Sequence, residues 1–89
     1  MKPGRIPCCV PFCGRTFAAD GHFTEVLCGR HYRLARPTLR RRLMRVRRLY
    51  RRAITRGDER FAERACLLDH ALWAAIKAEA IEVAAGIAA

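Results

Sequence analysis

Cysteine and histidine residues near the N-terminus have the types and spacing of a metal site. Zinc binds four ligands at the corners of a tetrahedron, and a short Cys-x-n-Cys or Cys-x-x-His loop lets one turn supply two of them. One such pair is Cys13 with either Cys8 or Cys9, and the other is Cys28 with His31. The sequence therefore predicts one bound Zn²⁺ ion.

The ligand types favour a structural zinc ion over a catalytic one. A catalytic site keeps one coordination position open beside a general base. Four ligands that are mostly thiolates would close the site, and the nearby acids Asp20 and Glu25 belong to no recognisable catalytic motif. A glycine follows both Cys13 and Cys28, which permits a turn whose N–H groups point at the thiolate. We expect a protein that is not an enzyme and has no small-molecule substrate.

Other uses of the cysteines and histidines are weaker alternatives. His22 lies at a predicted turn, where an exposed histidine is common. Cys66 and His70 are four residues apart on a predicted helix, where a buried cysteine beside an edge histidine is the simpler interpretation. A disulfide framework would need an oxidising compartment, but the N-terminus has no apolar run of the length of a signal peptide, so we expect a cytoplasmic protein with reduced thiols.

Two cysteine-containing segments resemble the N-terminal zinc cluster of small phage and prophage proteins, including phage HNH-type endonucleases. They are Pro7–Gly14 (PCCVPFCG) and Leu27–His31 (LCGRH), about a third of the chain with the hairpin between them. Those clusters pair Cys-x4-Cys with Cys-x2-His, so the resemblance implies the ligand set Cys8, Cys13, Cys28 and His31. An HNH nuclease also needs an Asn and further His residues after its cluster. This chain has no Asn and only His70 follows His31, so the resemblance implies structural zinc and affinity for nucleic acid without nuclease activity.

The segment around the cysteines predicts a small β-hairpin. Candidate strands at Arg15–Ala18 and Phe23–Leu27 flank Asp20-Gly21, a favoured hairpin turn pair. We expect the few apolar side chains of this segment to form its small core: Phe12, Phe17, Phe23, Val26 and Leu27.

Residues 37–56 predict an amphipathic helix. Pro37 suits a first helical turn and Thr38 is a candidate cap. One face is apolar: Leu39, Leu43, Val46, Tyr50 and Ala53. The opposite side carries arginines: Arg40, Arg41, Arg45, Arg47, Arg48, Arg51 and Arg52.

Residues 58–87 predict a second, alanine-rich helix that folds back on the first. Gly57 can end the first helix in a left-handed conformation, and Asp58 can cap the next. The second apolar stripe is expected at helical spacing: Phe61, Ala65, Leu68, Leu72 and Ile76. The fold class predicted is therefore mainly α, with a zinc-binding β-hairpin module (1–36) followed by an antiparallel two-helix hairpin (37–89), together forming one compact unit.

The second helix is apolar on more than one face. Trp73 and Ile81 lie off the main stripe and are candidates for contact with a protein partner or a second copy of the chain. The apolar stretch Ala71–Ala89 is interrupted by Lys77, Glu79 and Glu82, so it should not span a bilayer, and no membrane partner is expected.

The arginine-rich helix suggests a polyanionic partner. Eleven Arg and no acid occur between residues 33 and 56, in a chain with 18 basic and 8 acidic residues and a net charge of +10. Such a face repels itself, and a merely solvated face would usually interleave Glu. We expect DNA or RNA to bind mainly through its phosphates, at Arg40, Arg41, Arg45, Arg48, Arg51 and Arg52. The alternative is a protein-binding adaptor or inhibitor that docks on an acidic surface of a host or phage enzyme.

Overall fold

The computed structural model describes residues 4–19 and 24–86. Its N-terminal part contains a two-stranded antiparallel sheet formed by β1 (Arg5–Pro7) and β2 (Thr16–Ala18). Ile6 pairs with Phe17 at the centre of the ladder. The Arg5 side chain adds a hydrogen bond from Nε to Thr16 Oγ1 at 2.7 Å. The loop between the strands carries Cys8 and Cys13.

The β-hairpin is present, but its first strand is not the one expected from the sequence. The predicted strand Phe23–Leu27 is wrong: residues 24–27 form only an isolated parallel bridge, between Val26 and Cys8. The predicted turn Asp20-Gly21, together with His22 and Phe23, lies outside the described residues. Strand β2 pairs instead with the preceding segment, Arg5–Pro7, and the loop between the two strands brings Cys8 and Cys13 to the same cluster.

The first long helix, α2 (Pro37–Arg56), follows a single helical turn, α1 (Gly29–Tyr32). Pro37 occupies the first turn as predicted, where its missing N–H costs no hydrogen bond. Thr38 does not cap the helix: the N-cap residue is Arg36, and no side chain caps that end. Because Arg36 has extended backbone angles immediately before the proline, the helix starts two residues earlier than a Thr38 cap would require.

Gly57 and Asp58 form the predicted junction to the second long helix, α3 (Glu59–Ala84). Gly57 has φ +73°, and its N–H donates to Ile54 O while the Asp58 N–H donates to Ala53 O, a Schellman ending. Asp58 Oδ1 then accepts a hydrogen bond from the Phe61 N–H at 3.1 Å, which caps α3. This two-residue junction reverses the chain and makes the helical hairpin.

The helices pack through small side chains on α3. Leu43 and Ala53 of α2 are fully buried. On α3, the exposed fraction is 5% or less for three residues: Ala62, Ala65 and Ile76. The predicted α3 stripe is partly wrong, since Phe61 is 38% and Leu68 is 56% exposed. Most of the circumference of α3 is apolar, so periodicity alone does not fix which face turns inward. The packed face is the one whose alanines let the two helices approach closely.

The internal contacts divide the chain into two units. One unit, which we call the cysteine module, comprises Met1–Ala35 and Lys77–Ala89, and the other, the hairpin unit, comprises Arg36–Ile76. The cysteine module has its own small core: Cys8, Val10, Leu27, Cys28, Ala35 and Ala80. Within the described residues, no helix is both long and apolar enough to cross a membrane.

Candidate metal centre and arginine face

Four predicted ligand residues converge in the cysteine module. The ligating atoms of Cys8, Cys13, Cys28 and His31 all lie within 4.8 Å of one another. Cys28 Sγ lies 3.2 Å from His31 Nδ1 and 3.9 Å from Cys13 Sγ, and Cys8 Sγ lies 3.6 Å from the same ring nitrogen. Two segments, the loop between β1 and β2 and the start of α1, therefore place three sulfurs and one nitrogen around a common point.

These separations are those of ligand atoms around one tetrahedral ion. Metal–sulfur bonds of ~2.3 Å and metal–nitrogen bonds of ~2.0 Å give tetrahedron edges of about 3.8 Å between sulfurs and about 3.5 Å between sulfur and nitrogen. The three distances above lie within about 0.4 Å of those edges. Cys8 and Cys28 are buried, whereas Cys13 and His31 are half-buried. The cluster could therefore hold a metal ion at the edge of the module.

Backbone hydrogen bonds position each ligand. The Cys8 N–H donates to Arg15 O at 2.9 Å, closing the loop between β1 and β2. Cys28 is the N-cap residue of α1, so His31 follows it by one helical turn and returns to the same side. The Cys28 N–H points at Cys8 Sγ, 3.4 Å away. An N–H group aimed at a sulfur stabilises a thiolate ligand.

The cluster also affects the ionisation of its cysteines. Burial raises the pKa of Cys28, but hydrogen bonds from the His31 backbone and from the Cys13 and Cys8 thiols outweigh it and lower the pKa overall. For Cys13 the backbone N–H of Arg15 lowers the pKa, while burial and the neighbouring thiols raise it and dominate. Cys28 is thus the first of this pair to become a thiolate.

Cys9 lies outside the cluster although it adjoins Cys8. Its Sγ is 3.8 Å from Glu25 Oε2, and its pKa is raised by burial and by the Glu25 carboxylate, against a backbone hydrogen bond from Val26 that lowers it. Glu25 is itself bound by Lys77 Nζ at 2.7 Å. The structure therefore puts Cys8, not Cys9, with the other ligands.

Phe12 does not belong to the module core as the sequence suggested. Its side chain is fully exposed, at 105%, while Val10 two residues earlier is buried. The Cys13 N–H donates to Val10 O at 3.2 Å, which makes Val10–Cys13 a tight turn with Pro11 and Phe12 at its tip. The turn that brings Cys13 to the cluster thus turns Phe12 away from it.

The second candidate site is the arginine face of α2. We use this name for the six predicted phosphate contacts: Arg40, Arg41, Arg45, Arg48, Arg51 and Arg52. Arg40 is half-buried and the other five are exposed. In the part of the chain that the structure describes, those five guanidinium groups form no ion pair.

Two other arginines of α2, Arg47 and Arg56, lie close to acidic side chains. Arg47, which the periodicity put among the exposed arginines, binds Asp69 of α3 at 2.9 Å and is only one-third exposed. Arg56 lies near Asp58 and over the Phe61 ring. An open depression of about 440 Å³ lies on the C-terminal half of α2, and its lining includes three members of the arginine face, Arg48, Arg51 and Arg52, together with Thr55 and Arg56. Its lining is cationic, which suits an anionic group.

The remaining predicted residues lie on α3. Trp73 and Ile81, the candidate partner contacts, are half-buried, whereas Leu67 and Leu68 are 65% and 56% exposed. Cys66 Sγ and His70 Nε2 are 3.9 Å apart, and among the described residues no third ligand atom joins them in a metal-binding group.

Sequence reasoning did not foresee the exposed Phe12 or the Glu25–Lys77 pair. A Pro11-Phe12 sequence directly before a ligand cysteine was the signal for the turn, because proline favours the second position of a β-turn. Nothing in the local pattern joins Glu25 to a residue 52 positions later. No known protein family, curated protein or solved structure matches the chain.

Proposed function

We propose that the cluster binds one structural Zn²⁺ ion. Three thiolates and one imidazole are donors that zinc takes in structural sites, and three of the distances between the donor atoms are close to the edges of a tetrahedron. The module has little other core, since only a few small or medium side chains are buried in it. A bound ion would link β1, the following loop and α1, and so supply stability that apolar burial does not.

The same donor set supports a non-catalytic role. Four protein ligands satisfy a tetrahedral ion and leave no position for water or substrate. Glu25, the acid nearest to the cluster along the chain among the described residues, is held by Lys77 and faces Cys9. We therefore assign the ion to folding of the module and not to a reaction.

We propose that the arginine face of α2 binds nucleic acid through its phosphates. The observation that carries this proposal is the row of five exposed arginines that have no acid partner among residues 4–19 and 24–86. Two other arginines of α2 do have an acid nearby: Asp69 binds Arg47 and Asp58 lies near Arg56. Like charges at i,i+4, such as Arg48 and Arg52, cost helix stability until a polyanion neutralises them. The arginine face is thus organised for a partner outside the chain.

The biological role that fits both sites is a regulatory factor of the phage or prophage type. Its zinc-bound module resembles the cluster of phage proteins, and its basic helix supplies binding that depends on phosphate more than on base sequence. The alternative is an adaptor or inhibitor whose basic helix docks on an acidic protein surface. The exposed Leu67 and Leu68 favour such a contact, because exposed apolar side chains often mark protein interfaces.

Elemental analysis of protein purified without chelator tests the zinc proposal. We expect about one zinc per chain by the closed-site argument. Intact free thiols with less than about half an equivalent of zinc would reject it.

Titration against two unrelated fluorescent duplexes at low and at physiological salt separates nucleic acid from protein as the partner. We expect similar affinities for both sequences and much weaker binding at higher salt. Failure to bind either duplex at low salt, together with capture of one stoichiometric protein partner, would replace the proposal by the adaptor.

A further inference from the structure

Phe12 combines full exposure with an unfavourable backbone conformation. It has φ +68° and is the only residue other than glycine with positive φ among the described residues. In a turn with Pro11 at the second position, the third position calls for φ near this value and favours glycine or asparagine. A phenylalanine here gains nothing from the turn and, at 105% exposure, nothing from packing.

The conformation is held by the metal cluster on one side of the turn. Cys13, which follows Phe12, contributes its sulfur to the cluster, and Val10, at the start of the turn, is buried. The turn is therefore fixed at both ends while the aromatic ring is presented outward. A strained residue with an exposed aromatic side chain points to a contact outside the chain.

The charges around Phe12 indicate what that contact is. Four arginines of the module are exposed: Arg5, Arg15, Arg30 and Arg33. Arg15 lies in the same loop as Phe12, and Arg30 directly precedes the ligand His31, whose Nδ1 belongs to the same cluster as Cys13 Sγ. Glu25 is the one acid among the described residues up to Ala35, and Lys77 neutralises it. A basic module that exposes an aromatic ring suits a ligand that has both planar groups and phosphates.

We propose that Phe12 stacks on an unpaired base of single-stranded nucleic acid, with Arg15 and Arg30 contacting the neighbouring phosphates. Stacking on aromatic side chains, combined with basic groups that follow the backbone, is the general mode of binding single strands. This inference rests on the proposed nucleic-acid function and adds to it a second contact, made only with segments that have unpaired bases. Unpaired bases occur in both RNA and DNA, and the ring of Phe12 does not distinguish them.

The turn offers a variant that separates binding from folding. Phe12→Gly places the favoured residue at the positive-φ position, so the module should keep its zinc and its thermal stability or gain stability. Phe12→Trp retains an aromatic ring at the same point. Both are compared with the wild type in the full-length, zinc-loaded chain.

The probes are a 12-nucleotide DNA strand, an RNA strand of the same sequence and a blunt DNA duplex, each with a central 2-aminopurine whose fluorescence falls on stacking. We expect Phe12→Gly to lose about tenfold or more in affinity for both strands and to lose the stacking signal. Phe12→Trp should keep both. Affinity for the duplex, which offers no unpaired base, should change less than about twofold. Unequal losses on the DNA and RNA strands would show which of them supplies the base.

Three outcomes would overturn the inference. If Phe12→Gly binds the strands as the wild type does, while Arg48→Gln/Arg52→Gln weakens them, the arginine face functions without Phe12. If Phe12→Gly loses equal affinity for the duplex and for the strands, or loses affinity only for a protein partner, the proposal that Phe12 stacks on a base is wrong. If the wild type binds no probe, the proposed function itself fails, and this result differs from the first two.

Discussion

The candidate metal cluster and the arginine face are opposite kinds of candidate site. In the cluster, groups from two segments converge until four possible ligand atoms lie within 4.8 Å, and the Cys28 N–H points at Cys8 Sγ. On the arginine face, the charged groups come from one helix and diverge into solvent, without ion pairs among the described residues for the five exposed members. The possible ligand groups of the first site face one another, whereas the five exposed arginines of the second face solvent.

The difference between the cluster and the arginine face predicts how each responds to substitution of its residues. A convergent cluster depends on every member, because three ligands leave a tetrahedral ion incompletely bound. A divergent face adds many similar contacts, so removing some weakens binding in proportion. Substitutions in the cluster should therefore unfold the cysteine module, whereas substitutions on the arginine face should leave folding intact.

The largest effect is expected for Cys28→Ser. This cysteine is 1% exposed and lies within hydrogen-bonding distance of two other ligands. Structural zinc contributes roughly 10–16 kcal/mol of apparent binding free energy in zinc-finger peptides, so the loss of one ligand should release the metal and unfold the module. Zinc content and circular dichroism on heating measure both consequences.

Cys9→Ser is the matched control for that change. Cys9 is adjacent to a ligand but its sulfur faces Glu25. We expect full zinc content and an unfolding temperature close to that of the wild type. If Cys9→Ser lost its zinc while Cys8→Ser kept it, Cys9 and not Cys8 would be the ligand.

A smaller effect is expected for Arg48→Gln/Arg52→Gln on the arginine face. Each lost phosphate contact should make the slope of log K against log salt shallower by about 0.9, which weakens binding roughly 50- to 100-fold for the pair near 0.1 M salt. Removing the i,i+4 repulsion should raise helix stability by a few tenths of a kcal/mol. Anisotropy titrations and thermal unfolding of the same samples give both quantities.

The control is Arg60→Gln/Arg64→Gln, which removes two exposed arginines at the same spacing from α3. The total charge of the two double variants is identical. Equal losses of affinity in both would mean that net charge, and not the arginine face, determines binding.

The smallest effect is expected at the junction of the two helices. Asp58→Ala removes the cap of α3 and should lower the free energy of unfolding by about 1 kcal/mol. Zinc content and salt dependence should not change, because the junction belongs to neither site. Glu63→Ala, an exposed acid inside the same helix, is the comparison, and a loss as large there would show that charge and not capping matters.

Features set by neighbouring residues were predictable from the sequence. The members of each ligand pair are close together in the sequence. Gly57 ends α2 and the next residue, Asp58, caps α3. The limits of α2 match the predicted 37–56 because proline and glycine mark them. The ligand set converges as the spacing and the resemblance suggested.

Features set by distant residues were not predictable. The partner of β2 is Arg5–Pro7 and not the predicted Phe23–Leu27, and no local pattern around β2 distinguishes a partner before it from one after it. The inward face of α3 depends on how closely α2 approaches, which favours Ala62 and Ala65 over the larger Phe61 and Leu68. The exposure of Phe12 follows from the turn at Pro11, whereas its apolar character alone suggested the core.

The most direct test of the account is the salt dependence of nucleic-acid binding by the zinc-loaded wild type. Neutralisation of six to eight phosphates predicts a slope of log K against log salt of about −5 to −7 on duplex DNA, with little dependence on sequence. A slope near zero, or no binding at low salt by protein that contains its zinc, would contradict the central claim.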